Sequence, residues 1–346
     1  MENKLVSVVM SVYNNVEYID KAVTSILEQT YENFEFIIID DCSNDGSREK
    51  LQEYATKDSR IELLLNEKNR GLTKNLNRGL QLAKGEFIAR MDGDDYSFPE
   101  RFGKQIEYLQ QNKQVVLVGT GYYIIDSEDH RSTLNIEGGE PWEVFWKSIF
   151  GPVIMHPSAI FRKTLIDNNS LKYREETFPA EDFDMWSRMM RYGDCGIVQE
   201  PLIEYRLHSA NISATKHHAQ MARTKEIVLR NIAFHFADIN KTDHGQFESL
   251  CEFLYRGENC EIKEVKAAVK LMNNLCNEMK TKFRLSAEQE VRARMLAARW
   301  LIKGWLSLKK SKLQSILAMA TFAPSIIKET FAFLARRRGN NSAKVS

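Results

Sequence analysis

No glycine occurs in "SVYNNV", residues 11–16, the turn that follows the first apolar run. A dinucleotide-binding turn needs G-x-G-x-x-G there so that backbone can approach a pyrophosphate, and a P-loop needs a glycine-rich stretch ending in Lys-Ser/Thr. Neither pattern occurs, so a phosphate ligand would have to be neutralised by other means. Cysteine is scarce. Cys42, Cys195, Cys251, Cys260 and Cys276 make an odd number, with no C-x-x-C pair and no histidines at ligand spacing. Such thiols are expected to be reduced and mostly buried, as in a cytosolic protein. Long apolar runs are also missing. "MENKLVSVVMSVYNN" lacks the layout of a signal peptide. No stretch reaches the roughly 18 uninterrupted apolar residues of a spanning helix. Leu313 to Ile327 comes closest, but it contains Gln314, Pro324 and three serines or threonines.

With 43% hydrophobic and 27% charged residues, the 346-residue chain has the composition of a globular protein with a sizeable core. Short apolar runs, "LVSVVMS" (5–11), "FEFIIID" (34–40), "IELLL" (61–65) and "EFIARM" (86–91), have the length and composition of buried parallel strands. Helical spacing lies between them, first at Ile19, Val23, Ile26 and Leu27, then at Leu72, Leu76, Leu80 and Ala83. Strand and helix in alternation predict an α/β fold, a parallel sheet with helices on its faces. Ligands of such sheets sit beyond the carboxyl ends of the strands. The informative residues are therefore Ser11 to Asn14, Asp40 to Asp45, Asn66 to Lys74 and Asp92 to Asp95.

Acidic residues dominate those positions. Asp92-Gly93-Asp94 offers two carboxylates around a glycine that permits a tight turn and leaves room for a ligand. Mg²⁺ or Mn²⁺ prefers such hard oxygen donors, takes one or two protein carboxylates, and fills its remaining sites with water and phosphate oxygens. A calcium-binding EF-hand is excluded, because counting from Asp92 puts Phe98 at position seven and Gly103 at position twelve. A plainer reading is an acidic helix start before Pro99. At Asp40-Asp41 a carboxylate can accept from the N–H edge of a base, with Ser11 and Tyr13 supplying a hydroxyl and an aromatic wall, or it can simply satisfy loop amides. The third site is "FPAEDFDMWSRMMRYGD" (178–194). Phe183, Trp186, Met189 and Met190 fall at helical spacing, so Glu181 and Asp182 sit at a helix amino end, as catalytic groups or as caps.

The run "VSVVMSVYNNVEYIDKAVTSILEQTYENFEFIIIDDCSNDGS", followed by "NRGLTKNLNRGLQLAKGEFIARMDGDDYSFPERF", "AEDFDMWSRM" and "YRLHSANIS", resembles family 2 glycosyltransferases of the GT-A fold, the bacterial cell-surface polysaccharide type. The resemblance covers about residues 4 to 213. It implies a Rossmann-like, mainly parallel mixed sheet with helices on both faces, and a nucleotide-sugar donor, UDP favoured, lying across the strand ends. It assigns Ser11, Tyr13 and Asp41 to base and ribose, Asp92 to the nucleotide, and Asp94 to a Mn²⁺ or Mg²⁺ ion bridging the diphosphate. Asp182 would be the general base and Glu181 its partner. Arg206 and His208 match the family's late motif near the diphosphate. Many relatives place an arginine directly before the asparagine aligned with Asn77, where this chain has Leu76. Lys74 is the expected substitute, with Arg70 and Arg90 as further candidates.

The chemistry fits these parts. A carboxylate-held cation stabilises the departing diphosphate without a proton, and one carboxylate removes the proton of the attacking hydroxyl. One base and one metal suffice for a single displacement with inversion, which the family makes the expectation. A retaining route would need a second carboxylate nucleophile. The expected enzyme is a metal-dependent hexosyl- or N-acetylhexosaminyltransferase acting on a glycan or lipid-linked acceptor. The alternatives are a pyrophosphorylase-like nucleotidyltransferase, which should carry a glycine-, arginine- and lysine-bearing loop where "SVYNNV" stands, and an inactive membrane-tethered binding protein.

From residue 214 the pattern changes to amphipathic helices, so the expected division is a catalytic domain over 1–213 and a helical region over 214–346. From Arg284 onward there are 13 Lys/Arg and 3 Asp/Glu, against 35 and 44 before it, although the whole chain nets only +1. Trp300 and Trp305, flanked by Lys303, Lys309, Lys310 and Lys312, suit an anionic membrane interface. The expected location is cytoplasmic, peripheral at the inner face of the plasma membrane. Nucleic acid is not expected as a partner, because no recognition motif accompanies the charge.

Overall fold

The computed structural model describes residues 2–209, 211–236, 244–255 and 261–307. The four apolar runs form β1 (Val6–Val12), β2 (Phe34–Asp40), β3 (Ile61–Leu65) and β4 (Phe87–Asp92). They alternate with α1 (Ile19–Leu27), α2 (Ser47–Lys57) and α3 (Leu72–Leu82). Further on come β5 (Tyr96–Ser97), α4 (Arg101–Gln111), β6 (Val115–Ile125), β7 (Arg131–Asn135), α5 (Pro141–Phe150), β8 (Ile160–Arg162), α6 (Lys163–Asn169), α7 (Glu181–Met189) and β9 (Asp194–Arg206). All nine strands join one sheet in the order β3-β2-β1-β4-β8-β6-β9-β5, with β7 on the far end of β6. The first four strands are mutually parallel, and β8 enters antiparallel to both β4 and β6. The sheet is thus mixed and mainly parallel, as the sequence predicts.

Side chains that alternate along β1 explain why its run is mostly apolar. Val6, Val8, Met10 and Val12 enter one core with Ile19, Val23 and Ile26 of α1 and with Phe102 and Ile106 of α4. Val9 points the other way, into a core with Leu76 and Leu80 of α3 and with Met185, Trp186 and Met189 of α7. Both faces are covered, and the one fully buried serine, Ser7, is satisfied by donating to Glu35 Oε1 at 2.6 Å and accepting from Gly85 N at 2.8 Å. Close contact is enforced at one point: a Cβ added to Gly79 of α3 would lie 2.3 Å from Val9 Cγ1.

Contact density divides the chain into two compact units, Met1–Arg223 and Thr224–Ser346. The break falls within the helix His217–His235, whose first turn belongs with the sheet because Gln220 Nε2 donates to Pro179 O at 3.0 Å. The second unit contains helices His244–Tyr255, Ile262–Phe283 and Ala287–Ser307. Glu261 and Glu264 form a capping box on the second of these. Among the described residues no helix is long and apolar enough to cross a membrane. Lys309, Lys310 and Lys312, and the stretch 313–327, lie outside the described residues, as does Cys260.

Candidate active site

Parallel pairing brings the carboxyl ends of β1 to β4 to one rim. Ser11 of β1 stands beside Asp92, which is the last residue of β4 rather than the first of the loop. Two of the loops are laced together. Asn14 N donates to Ser43 Oγ at 3.0 Å, Asn15 N to Ser47 Oγ at 2.8 Å, and Val16 N to Asp45 Oδ2 at 2.9 Å. Tyr13, at the tip of the first loop, is half exposed.

The two aspartates after β2 divide their work. Asp40 is fully buried and spent on local structure, accepting from Ser43 N and pairing with Arg48 at 2.6 Å. Asp41 holds the loop after β3. Its Oδ1 accepts from Asn66 Nδ2 at 2.9 Å and from Arg70 N at 2.7 Å, and its Oδ2 accepts from Gly71 N at 2.8 Å. Burial raises the proton affinity of Asp41, but these donors outweigh it and hold the carboxyl below its ordinary value. Asn66 passes the network to Asn75 Oδ1 at 2.9 Å, and Asn75 Nδ2 reaches Ser11 Oγ at 3.1 Å. Ser11 and Asp41 are therefore two ends of one polar chain, each with hydrogen-bonding capacity left for a ligand.

At the end of β4, Asp92 is ion-paired with Arg90. Gly93 has an ordinary backbone; its need is closeness, since a Cβ there would meet Asn15 Nδ2 at 3.0 Å and Val12 Cγ2 at 3.4 Å. Asp94 Oδ2 lies 2.9 Å from His208 Nε2, with Asn211 Nδ2 at 3.5 Å. Asp95 is buried and accepts from Arg206 N at 2.8 Å through Oδ1, while its Oδ2 has no partner among the described residues. Burial, with Asp94 and Asp92 close by, drives its carboxyl well above the ordinary value. Among the described residues no group of three or more His, Cys, Asp or Glu is arranged to hold a metal. The pair Asp94 and His208 nevertheless suits a divalent ion that takes few protein ligands.

Arg206 and Lys74 both have partners within the protein. Arg206 is almost fully buried and faces inward. Its Nε donates to Asp94 O at 2.8 Å, Nη1 to Asp126 O at 2.8 Å and Nη2 to Asp129 Oδ1 at 2.6 Å, and its guanidinium lies 4.5 Å from the Tyr18 ring centroid. Its donors brace the turn that carries Asp94 and Asp95. Arg90, 1% exposed, is likewise consumed by internal partners. Leu76 is wholly buried in the core behind β1. Lys74 is exposed and pairs with Glu175 at 3.3 Å, an exchangeable surface contact; Arg70 is exposed, and its backbone is what meets Asp41.

Glu181 and Asp182 open α7. Phe183 N donates to Asp182 Oδ1 at 2.7 Å, while the buried Glu181 Oε2 has no partner among the described residues. Burial, with Asp182 adjacent, pushes Glu181 up to about 8. Burial, with Asp92 near, pushes Asp182 up to about 6. Both carboxyls thus hold protons more tightly than free carboxylates do, as groups that exchange a proton near neutrality must.

Several contributors were not anticipated from sequence. Tyr18 stacks against His208 with ring centroids 5.3 Å apart. His156 Nε2 sits 3.1 Å from both Arg90 Nε and Tyr173 Oη. The side chain of Asn77 clamps the backbone of Tyr173 with two 2.8 Å bonds. Tyr18, Asn75, Asn77 and Asn211 lie inside the quoted motifs, whereas His156 and Tyr173 had no such signal.

Known proteins resemble this chain in sequence and in fold. The model of the family described as glycosyl transferase family 2 matches residues 7–169. An uncharacterized glycosyltransferase of Haemophilus influenzae is 33% identical over 248 residues, covering 69% of this chain and 77% of the relative. The putative teichuronic acid biosynthesis glycosyltransferase TuaG of Bacillus subtilis is 31% identical over 222 residues, covering 61% and 82%. Among solved structures, S. aureus TarS 1–349 in complex with UDP-GlcNAc superposes with a TM-score of 0.55 at 16% identity, covering 96% of this chain and 92% of that one. The mannosyltransferase PcManGT of Pyrobaculum calidifontis, in complex with GDP-Man and Mn²⁺, gives 0.52 at 15% identity, covering 94% and 83%. These two likenesses carry the GT-A-like fold.

Proposed function

This chain belongs to glycosyl transferase family 2, and from that premise we propose that it transfers a sugar, with inversion, from a nucleoside-diphosphate donor to a hydroxyl of a cell-surface glycan or lipid-linked acceptor. The observation that carries the reading is the convergence at one rim of Asp94 with His208 and of Asp41 with Ser11. The paired carboxylates Glu181 and Asp182 are the groups for the acceptor side. UDP is favoured as the carrier because a TarS structure was solved with UDP-GlcNAc, and polysaccharide synthesis because a relative carries teichuronic acid biosynthesis in its name. A hexosyl or N-acetylhexosaminyl group is the proposed cargo.

In this proposal Asp41 and Ser11 receive the base and ribose, Tyr13 forms an aromatic wall, and Asp92 with Lys74 contacts the nucleotide. Asp94 and His208 hold Mn²⁺ or Mg²⁺, which when bound supplies positive charge to the departing diphosphate. Arg206 positions Asp94 from behind. Asp182 takes the acceptor proton as the new bond forms, and Glu181, neutral at pH 7, donates a hydrogen bond to the acceptor. The catalytic domain is proposed to end near residue 213, where the helical region begins.

The test is a panel of nucleotide sugars assayed with and without Mn²⁺. Asp182→Asn is expected to keep donor affinity within about threefold and to lower transfer by ~10²–10⁴. Undiminished transfer by that variant, or by Asp94→Ala in the presence of chelator, would overturn the assignment.

A further inference from the structure

Arg90 carries the charge closest to Asp92, yet it sits on a buried strand and needs partners for every N–H it presents. Its Nη2 pairs with Asp92, its Nη1 donates to Val9 O at 3.2 Å and also to Met91 O, and its Nε points at His156 Nε2 at 3.1 Å. A guanidinium can only donate, so His156 Nε2 must be the acceptor and the ring proton must sit on Nδ1. Burial, and then the neighbouring Arg90 charge, hold the imidazole well below its ordinary value, consistent with a neutral ring. That neutrality matters. A carboxylate in this place would share the Arg90 charge and weaken its grip on Asp92, whereas a neutral acceptor orients the guanidinium and leaves the charge undivided.

Tyr173 completes the arrangement. Its ring packs on His156 and on Trp186 of α7, its backbone is fixed to α3 by Asn77, and its hydroxyl, 3.1 Å from the same Nε2, is a second donor that shares the one lone pair with Arg90 Nε. One network therefore joins β4, α3 and the segment that leads into the Glu181-Asp182 turn.

We propose that His156 is a positioning residue for the transfer reaction: its Nε2 aims Arg90 at Asp92, and Tyr173 holds the imidazole in turn. This deepens the reading above and rests on it for the role of Asp92 at the nucleotide. It predicts that the neutral acceptor atom, not the ring, is what His156 must supply.

The experiment compares His156→Gln, whose amide oxygen reaches the place of Nε2, with His156→Asn, which is polar but too short, and His156→Phe, which keeps the ring and loses the acceptor. The donor KM, kcat and thermal midpoint are measured for each in the full chain, together with UDP affinity by calorimetry. Gln should stay within threefold of wild type in donor KM. Asn and Phe should raise donor KM at least fivefold, and combining Phe with Arg90→Lys should add little to Arg90→Lys alone. A merely structural role would lower the thermal midpoint and leave donor KM of the folded enzyme unchanged. Should His156→Phe not fold, the Gln and Asn pair decides, and equal KM values for those two overturn the inference. Wild-type protein that neither binds UDP nor any other nucleoside diphosphate would sink the parent reading and this one together; active wild type with unaltered His156 variants sinks this one alone.

Discussion

Glu181 and Asp182 show how one residue pair can serve chemistry at the expense of stability. Burial lifts both folded values above the unfolded ones near 4. The native state then binds these protons more tightly than the unfolded chain, so their stabilising contribution is complete below about pH 4. It is lost as pH rises through about 6 for Asp182 and about 8 for Glu181. Glu181→Gln should therefore leave the thermal midpoint nearly unchanged at pH 5 and raise it by roughly 3–6 °C at pH 9, measured by differential scanning calorimetry. Activity follows the same groups with its own sign, because the base must be ionised. Below about pH 6 kcat/KM should fall tenfold per pH unit, and the residual activity of Asp182→Asn should lack that limb.

Among elements, packing of α3 on β1 sets the depth at which Asn75 and Asn77 meet the rim. Alanine is a better helix former than glycine by ~1 kcal/mol, yet at Gly79 its methyl would enter the space of Val9. Overpacking of this kind costs ~1–3 kcal/mol, so Gly79→Ala should lower the denaturant midpoint, and adding Val9→Ala should recover part of the loss. The first four strands were legible because their apolar runs are bounded by polar turns, although only Ile61 of β3 is buried, and the candidate acidic residues at the sheet rim were legible because they lie at the ends of β2 and β4. β6 was not legible, since Gly119 and Gly121 interrupt its run where a Cβ would strike Ile154 and Ile136 at 2.8 Å. Three-residue β8 has no period to detect. His156 was invisible for another reason: it lies 66 positions from Arg90 and meets it only through the tertiary fold. The partners of Arg206 were not legible, because a sequence shows the charge of a side chain and not the carbonyls waiting for it.

The whole molecule carries its charge unevenly, acidic before Arg284 and basic after it. Lysines near an anionic bilayer contribute ~1 kcal/mol each, so the full chain should sediment with phosphatidylserine vesicles and much less with neutral ones. Replacing Lys309, Lys310 and Lys312 by Glu should weaken that binding at least tenfold, and raised salt should mimic the change. Equal partition to both vesicle types would count against a membrane role for the basic end.

The long strand β9 has a last consequence. Thr120 of β6 faces Val198, Gly121 faces Pro201 and Tyr122 faces Ile203, so β9 runs ahead of its partner within two steps before the register steadies through Arg206. That slack works as a ruler. Shortening it by one residue would move Glu204 to the place of the buried core residue Ile203 and Leu207 to that of Arg206, and would draw the imidazole of His208 about 3.3 Å away from Asp94. A mid-strand spacer thus sets how far His208 reaches toward Asp94, and a deletion at Glu200 should abolish that pairing and also lower the thermal midpoint.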